Sequence, residues 1–171
     1  ARISLTKITK ILISHWHGDH VAWIIGLIQT LGNEKDEINI EIYGPKDTKK
    51  YMEHVLKSCI FELKINIKIF EIEAEKPKRF FENEYFALEA AEMDHSVPCL
   101  GFSFVEKDRR NINKEFLMKN NIPEGPHLKE LLAGNDISFK GKNVSQNDAV
   151  RIAKGRKVTY VMDTMYCSNA I

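Results

Sequence analysis

The sequence predicts a mixed α/β fold in which short strands alternate with helices. Apolar residues recur at every second position in some segments and at every third or fourth in others, which indicates both element types. The composition, 43% hydrophobic and 29% charged over 171 residues, is that of an ordinary globular domain. The longest apolar stretch, residues 21–28, falls well short of the roughly 18 residues that a membrane helix needs, so no membrane association is expected.

The elements of the first half follow from these periodicities in order. Three consecutive apolar residues predict a first strand, and Gly32 is a plausible stop for the helix that follows it. Ile38, Ile40 and Ile42 alternate with polar residues up to Gly44. The strands are predicted at Lys10–Ser14, Ile38–Tyr43, Ile65–Ile72, Tyr85–Ala91, Leu100–Val105 and Lys157–Met162, and the helices at Val21–Leu31 and Thr48–Cys59.

Residues 106–156 lack such a pattern and predict an irregular insertion with short helical pieces near Lys114–Lys119 and Leu128–Leu132. Residues 107–157 hold 12 Lys/Arg and 6 Asp/Glu, a net charge of +6, whereas the rest of the chain carries 13 and 18, or −5. The predicted organisation is therefore a core over 1–105, a basic insertion over 106–156 and a return to the core over 157–171. A solvated surface loop is the simplest alternative for the insertion.

Several residues are expected to have ordinary structural roles. The three cysteines are odd in number and widely spaced, which argues against a disulfide framework and favours a reducing, cytoplasmic setting. Cys99 and Cys167 are expected to be buried thiols. Surface positions are expected for His54, His127 and the basic run 76–79. The chain opens without a methionine and stops where a helix pattern begins, so we expect it to be part of a larger protein.

The strongest chemical signal is the run His15-Trp16-His17-Gly18-Asp19-His20, which holds three of the six histidines. In an extended chain His15 and His17 point to one side. Asp19 and His20 lie at the turn into a helix and can face the same small cavity, with Gly18 permitting the turn. Imidazole suits zinc, and a carboxylate can bridge towards a second ion.

Two further donors follow strands elsewhere in the sequence. His95 comes just after the strand at Tyr85–Ala91, and Asp163 comes at the end of the last strand. Alone, His95 would be an ordinary loop histidine and Asp163 a helix cap. Together with the first motif, both are expected to be metal ligands.

The histidine motif after an apolar strand resembles the signature of the metallo-β-lactamase fold superfamily. More narrowly, the chain resembles the ribonuclease Z family, whose members trim the 3′ trailer from precursor tRNA. Matching segments occur in order at 13–20, 42–45, 95–98 with Gly101-Phe102, 121–126, and 155–160 leading to Asp163-Thr164. The resemblance implies an incomplete portion of an αββα sandwich with a protruding basic arm.

This resemblance also implies the roles of individual residues. The first zinc would be held by His15, His17, His95 and Asp163, and the second by Asp19, His20 and the bridging Asp163. The ions would activate a water for attack on a phosphodiester, leaving a 3′-hydroxyl on the tRNA, with Asp19 as the catalytic proton acceptor. A further histidine ligand would lie beyond Ile171, so a segment ending there would hold its second ion weakly and cleave poorly.

The basic arm of the family grips the body of the tRNA, and its Gly-Pro segment matches Gly125-Pro126. The residues expected to contact RNA are Lys107, Arg109, Arg110, Lys114, Lys119, Gly125, Pro126, Lys129, Lys140 and Lys142. A homodimer is a further implication of the resemblance. Trp23 and Ile25 stand where the family usually has Gly and Pro, so the helix after the motif is expected to pack differently.

Two alternatives from other classes remain open at this point. One is a metallo-β-lactamase-fold hydrolase of a small ester or cyclic phosphodiester, which the Gly-Pro segment and its charge argue against. The other is a non-catalytic RNA-binding fragment, because the second ligand set is incomplete in this segment. Metal content and cleavage assays separate them.

Overall fold

The chain divides into two units. The structure, a computed structural model, describes residues 4–34 and 38–170. The first unit comprises the described residues within 1–83, 87–104 and 158–171, and the second comprises 84–86 and 105–157. Among the described residues, no helix is both long and apolar enough to cross a bilayer.

The first unit contains the predicted alternation of strands and helices. After a 3-10 turn at Leu5–Lys7, its elements are β1 (Lys10–Leu12), α1 (Gly18–Val21), α2 (Ile24–Glu34), β2 (Asn39–Gly44), α3 (Thr48–Lys57), β3 (Asn66–Glu71), β4 (Lys78–Glu82), β5 (Phe86–Met93), β6 (Cys99–Glu106) and β11 (Lys157–Tyr160).

Strands β1, β2 and β3 form a parallel sheet in that order, and the intervening helices are the crossovers that parallel strands require. Ile40 and Ile42 of β2 lie in the same buried cluster as Ile28 of α2 and Met52 of α3. The period of two in the sequence therefore places these isoleucines on the helix side of the sheet.

The other face of β2 packs on a second sheet, whose strand order is β11-β6-β5-β4. Tyr43 shares a buried cluster with Ala90 of β5 and with Leu100 and Phe102 of β6. The first unit is thus layered as helices, parallel sheet and second sheet. The mixed α/β class predicted from the sequence is confirmed.

Two local predictions in this unit are wrong. The helix predicted at Val21–Leu31 is divided by a turn at Ala22-Trp23, and α2 continues past Gly32 to Glu34. Gly18 opens α1 without a positive φ, so glycine's conformational freedom is not what brings the donors together. The basic run at 76–79 is exposed, as expected, but it enters strand β4, which the sequence did not predict and whose pairing with β5 holds a bulge between Arg79 and Phe81.

The second unit has a core of its own, contrary to the irregular insertion that the sequence predicted. Its elements are β7 (Arg109–Ile112), α4 (Lys114–Lys119), α5 (Leu128–Ala133), β8 (Ile137–Phe139), β9 (Lys142–Val144), α6 (Gln146–Ala149) and β10 (Val150–Ala153). Leu117, Leu131, Ile137 and Val144 are among its buried residues. These apolar residues are single and far apart, so no periodicity marks them.

Two short antiparallel pairings organise this unit. Strand β10 pairs with β7, and β8 pairs with β9. The β8–β9 hairpin turns through Lys140 and Gly141, with φ of 49° and 77°. Positive φ at both positions is the signature of the two-residue turn whose twist matches that of the strands.

His127 of the second unit is half-buried instead of lying at the surface. Its ring stacks on Phe139 with the centroids 5.7 Å apart. A Cβ at Gly125 would lie 2.9 Å from this imidazole. A larger residue at position 125 would therefore have to displace the His127 ring from its present position. His54 is exposed on α3, as expected.

Candidate metal centre

The loop between β1 and α1 carries the histidine motif and is anchored on both sides. The amide of Ile13 donates to the carbonyl of Tyr43 at 2.8 Å, and the amide of Leu100 donates to the carbonyl of Ser14 at 2.9 Å. These bonds fasten the loop to both sheets just before His15. The backbone position from which the histidine motif begins is therefore fixed by these two bonds.

Three imidazoles from two distant segments form a first group of possible ligands. The donor atoms of His15, His17 and His95 lie within 4.8 Å of one another. His95 Nε2 faces His17 Nδ1 at 3.2 Å, and the His15 ring lies 4.9 Å and 4.8 Å from those of His17 and His95, centroid to centroid. Two ring nitrogens this close together can both coordinate one cation.

A second group joins His15 and His20 to Asp163, again with donor atoms within 4.8 Å. The carboxylate Oδ2 of Asp163 lies 2.9 Å from His20 Nε2 and 3.6 Å from His15 Nε2. Asp163 adopts the left-handed conformation, with φ of 47°. This sparsely populated conformation is one that aspartate tolerates, and its occurrence here coincides with the donor cluster.

His15 is the member common to both groups and is fully buried. Its Nδ1 lies 3.1 Å from the Ser14 hydroxyl, whereas its Nε2 is buried without a hydrogen-bond partner among the described residues. Burial, followed by the neighbouring histidines 20, 95 and 17, lowers the pKa of His15. A neutral imidazole that donates from Nδ1 presents its Nε2 lone pair for coordination.

Asp19 differs from the other motif residues because it belongs to neither group. Its side chain is 81% exposed, and its Oδ2 lies 3.4 Å from His20 Nε2. The structure thus brings together His15, His17, His20, His95 and Asp163, and leaves the Asp19 carboxylate at the solvent edge of the second group.

The two loops that carry His95 and Asp163 are tied to each other. The amide of Met165 donates to the carbonyl of Asp94 at 2.8 Å, and the Thr164 hydroxyl donates to the same carbonyl at 3.3 Å. The buried Cys99 thiol donates to the carbonyl of Met162 at 3.8 Å. Burial, and secondarily the charge of Asp163, raises the pKa of Cys99, which keeps the donor protonated. Cys167 is only half-buried, contrary to expectation.

A hydrogen-bonded support lies beneath the histidine loop. Trp16 Nε1 donates to the Thr48 hydroxyl at 2.9 Å, and that hydroxyl donates to the carbonyl of Pro45 at 2.7 Å. A Cβ at Gly44 would lie only 2.4 Å from Thr48 Oγ1, so glycine is the residue that fits there. The Gly-Pro pair at 44–45 thereby helps to hold the indole of Trp16, the residue between His15 and His17 in the sequence.

A cavity of about 500 Å³ reaches His95 from the solvent. Its lining includes Lys46 and the segment Ser96–Pro98, together with the carboxylates of Glu73, Glu75 and Glu92. This volume lies within the range of about 300–1,000 Å³ that is usual for ligand pockets. The first unit thus contains space for a substrate group beside the donor cluster.

The basic residues of the second unit are not equivalent. Arg110 is half-buried, and its Nη2 donates to the carbonyl of Leu131 at 3.3 Å and to the Gln146 side chain. Lys107 and Gly125 are partly buried. The remaining expected contact residues are exposed, namely Arg109, Lys114, Lys119, Pro126, Lys129, Lys140 and Lys142.

The donor set fits a metal cofactor. Histidine nitrogens and a carboxylate oxygen are the ligands that transition metals bind in proteins, and a buried, unpartnered ring nitrogen is costly unless something coordinates it. Layers of helices and sheets with the donors on the connecting loops are what the metallo-β-lactamase resemblance implies. The site and its scaffold together define a metallo-β-lactamase-like chain.

Comparison with known proteins identifies the family within this class. The chain is 35% identical over 165 residues to ribonuclease Z of Methanococcus aeolicus, covering 95% of this chain and 51% of that protein. It is 36% identical over 173 residues to ribonuclease Z of Pyrococcus horikoshii, covering 100% and 55%. It belongs to the ribonuclease Z family and spans about half the length of these curated relatives.

A solved structure supports the same conclusion. Human tRNase Z, short form, matches with a TM-score of 0.54 and 29% sequence identity over 63% of this chain and 47% of that one. No family model matches the sequence. The family resemblance that began with the histidine motif is confirmed.

Proposed function

We infer that this chain is part of a zinc-dependent endoribonuclease that removes the 3′ trailer from precursor tRNA. The observation that carries the inference is the convergence of five donors from segments near residues 15–20, 95 and 163 around a buried, unpartnered His15 nitrogen. Curated relatives named ribonuclease Z support the substrate class.

The proposed ligands are those that the family resemblance implies, and they match the two donor groups only in part. His15, His17, His95 and Asp163 would hold the first zinc, and Asp19, His20 and Asp163 would hold the second, although Asp19 lies outside both groups. Asp163 serves both because its carboxylate lies within 3.6 Å of both His15 and His20. When bound, the ions supply Lewis acidity towards phosphoryl oxygens and a water that ionises near neutral pH.

The chain's own residues prepare this chemistry. With its Nδ1 donating to the Ser14 hydroxyl 3.1 Å away, His15 would present its Nε2 lone pair for coordination. The exposed carboxylate of Asp19, next to His20, is the group placed to accept a proton from water at the solvent edge.

The exposed cations of the second unit would hold the tRNA body. Lysine and arginine contacts to phosphate position a nucleic acid without reading its sequence. Lys107, Arg109, Lys114, Lys119, Lys129, Lys140 and Lys142, with the Gly125-Pro126 segment, belong to this proposed contact surface. Arg110 serves packing within the unit instead, because its guanidinium is committed to Leu131 and Gln146. A cytoplasmic homodimer is part of the same proposal.

Elemental analysis combined with a cleavage assay tests the proposal. The purified chain, and a second protein extended to the length of the curated relatives, are assayed for zinc and for release of the trailer from precursor tRNA. Asp163→Asn is compared with Asp47→Asn, an aspartate outside both donor groups. We expect zinc in the unmodified chain, loss of zinc in Asp163→Asn only, and trailer release by at least the longer protein.

The outcomes separate this function from the alternatives. Zinc with hydrolysis of a small ester or cyclic phosphodiester, and no cleavage of precursor tRNA by the longer protein, would favour the small-substrate hydrolase. Binding of tRNA by both proteins without zinc would favour a non-catalytic binding module.

A further inference from the structure

The second unit contains a cleft that differs from a diffuse basic surface. It has a volume of about 360 Å³ and lies between the end of α4 and the β8–β9 hairpin. Three lysines line it, namely Lys119, Lys140 and Lys142, and none of the described residues that line it carries a carboxylate. Its lining is therefore strongly cationic in a chain whose net charge is only +1.

None of these lysines is neutralised by a carboxylate, although the Lys140 ammonium lies over the Phe139 ring, 5.5 Å from its centroid. Over residues 4–34 and 38–170, none of the three forms an ion pair, although other cations of the same unit do. Lys154, for example, pairs with Asp108 at 2.6 Å. A cation already neutralised by a carboxylate attracts a phosphate much less, so the charge available to a ligand concentrates at the cleft.

Side-chain amides share the cleft with the lysines. Asn121 and Asn143 line it, and in the described part of the chain neither side chain makes a hydrogen bond. An amide offers both donor and acceptor atoms, which is what the edge of a nucleobase requires.

Aromatic side chains complete the lining. Phe116 and Phe139 are half-buried and contribute an apolar wall. The ring of Phe139 is stacked on His127, and the Lys140 ammonium lies over it, 5.5 Å from the centroid. Bases that are splayed out of single-stranded RNA are commonly bound against aromatic side chains.

We propose that this cleft binds a single unpaired nucleotide of the RNA substrate. The lysines contact its phosphates, the two asparagines read the edge of its base, and Phe116 and Phe139 form the apolar wall that the base contacts. This inference rests on the proposed function for its choice of RNA, and it adds a nucleotide-binding site to a surface otherwise expected to contact only the backbone.

Titration of the ¹⁵N-labelled chain with each of the four ribonucleoside 5′-monophosphates tests the proposal. We expect at least one nucleotide to shift the side-chain amide signals of Asn121 and Asn143 saturably. Ribose 5-phosphate should bind about tenfold more weakly, because it lacks the base. Asn143→Asp, nearly isosteric and newly anionic, should weaken nucleotide binding about tenfold or more. Asn111→Asp, the same change outside the cleft, should leave the affinity within twofold.

Asn121→Asp provides a second variant at the cleft, because aspartate also tolerates the φ of 52° found there. Equal shifts from inorganic phosphate would reduce the cleft to an anion site and overturn the proposal. Failure of all four nucleotides to shift these signals would also overturn it.

Failure of this inference is distinguishable from failure of the proposed function. Trailer cleavage without nucleotide binding at Asn121 and Asn143 would overturn only the cleft. Nucleotide binding there by a chain that holds no zinc would overturn only the metal-dependent nuclease.

Discussion

The donor cluster of the first unit and the cationic cleft of the second unit concentrate charge in different ways. At the cluster, four imidazoles and a carboxylate converge from distant segments, and the buried Nε2 of His15 has no hydrogen-bond partner among the described residues. At the cleft, each lysine remains exposed, and its availability depends on the absence of a nearby carboxylate. The first site is therefore distinguished by a buried donor atom. The second is distinguished by cations without carboxylate partners, in a unit where other cations are paired.

Replacing His15 with alanine should have the largest effect, because His15 belongs to both donor groups. We expect metal affinity to fall by more than about 100-fold, beyond the range of about 10–100-fold that loss of an outer-shell partner costs. Elemental analysis after dialysis measures the loss. His54→Ala, on the exposed face of α3, is the matched control and should retain its metal. Metal retained by His15→Ala would show that the two groups do not depend on this buried ring.

Asp19→Ala should separate catalysis from tRNA binding. Removal of a general base costs about 10²–10⁴-fold in rate, whereas the cations of the second unit are unchanged. Single-turnover cleavage and filter binding of the same precursor tRNA measure the two quantities. Parallel losses in rate and in affinity would contradict the assignment of binding mainly to the second unit.

The effect of removing cations from the second unit on the salt dependence of tRNA binding should depend on whether those cations are ion-paired, and not only on how many are removed. Lys119, Lys140 and Lys142 changed together to glutamine should flatten the slope of log K against log salt by about 0.7–0.9 for each phosphate that the protein no longer neutralises. The same change at Arg151, Lys154 and Arg156, which pair with Glu115, Asp108 and Glu106, should flatten it less. Equal slopes for the two triple variants would mean that pairing is irrelevant.

Thr48→Val should give the smallest effect and should act on stability. Thr48 is fully buried, and its hydroxyl joins Trp16 to Pro45, so its loss leaves buried polar groups unpaired. We expect the free energy of unfolding to fall by about 1–3 kcal/mol, measured by denaturant titration. Thr30→Val, exposed and bonded only within its own helix, should change it by less than about 0.5 kcal/mol. A loss at Thr48 no greater than at Thr30 would refute this support for the loop.

The sequence predicted the first unit much better than the second. Contiguous signals were sufficient there, since six residues contain the histidine motif and isoleucines mark β2 at every second position. In the second unit the sequence predicted the helical pieces that correspond to α4 and α5, but neither the strands, which are only three or four residues long, nor the cleft, which two separate segments form, 116–122 and 139–144. Strand β4 was missed because Lys78 and Arg79 resemble solvated surface until the cross-strand pairing with β5 is known. The exposure of Asp19 and the burial of His127 likewise depend on tertiary packing.

The bonds between the Asp94 carbonyl and the segment Thr164–Met165 have a consequence for how a bound ion would leave. Because His95 and Asp163 lie on loops that share these bonds, neither loop can swing outward without breaking them. Ion release therefore requires a concerted local opening, and its rate is governed by the frequency of that opening as well as by the strength of the coordination bonds. The amide proton of Met165 donates to the Asp94 carbonyl and would exchange with solvent only when that bond breaks. Its hydrogen-exchange rate would therefore report how often the two loops open.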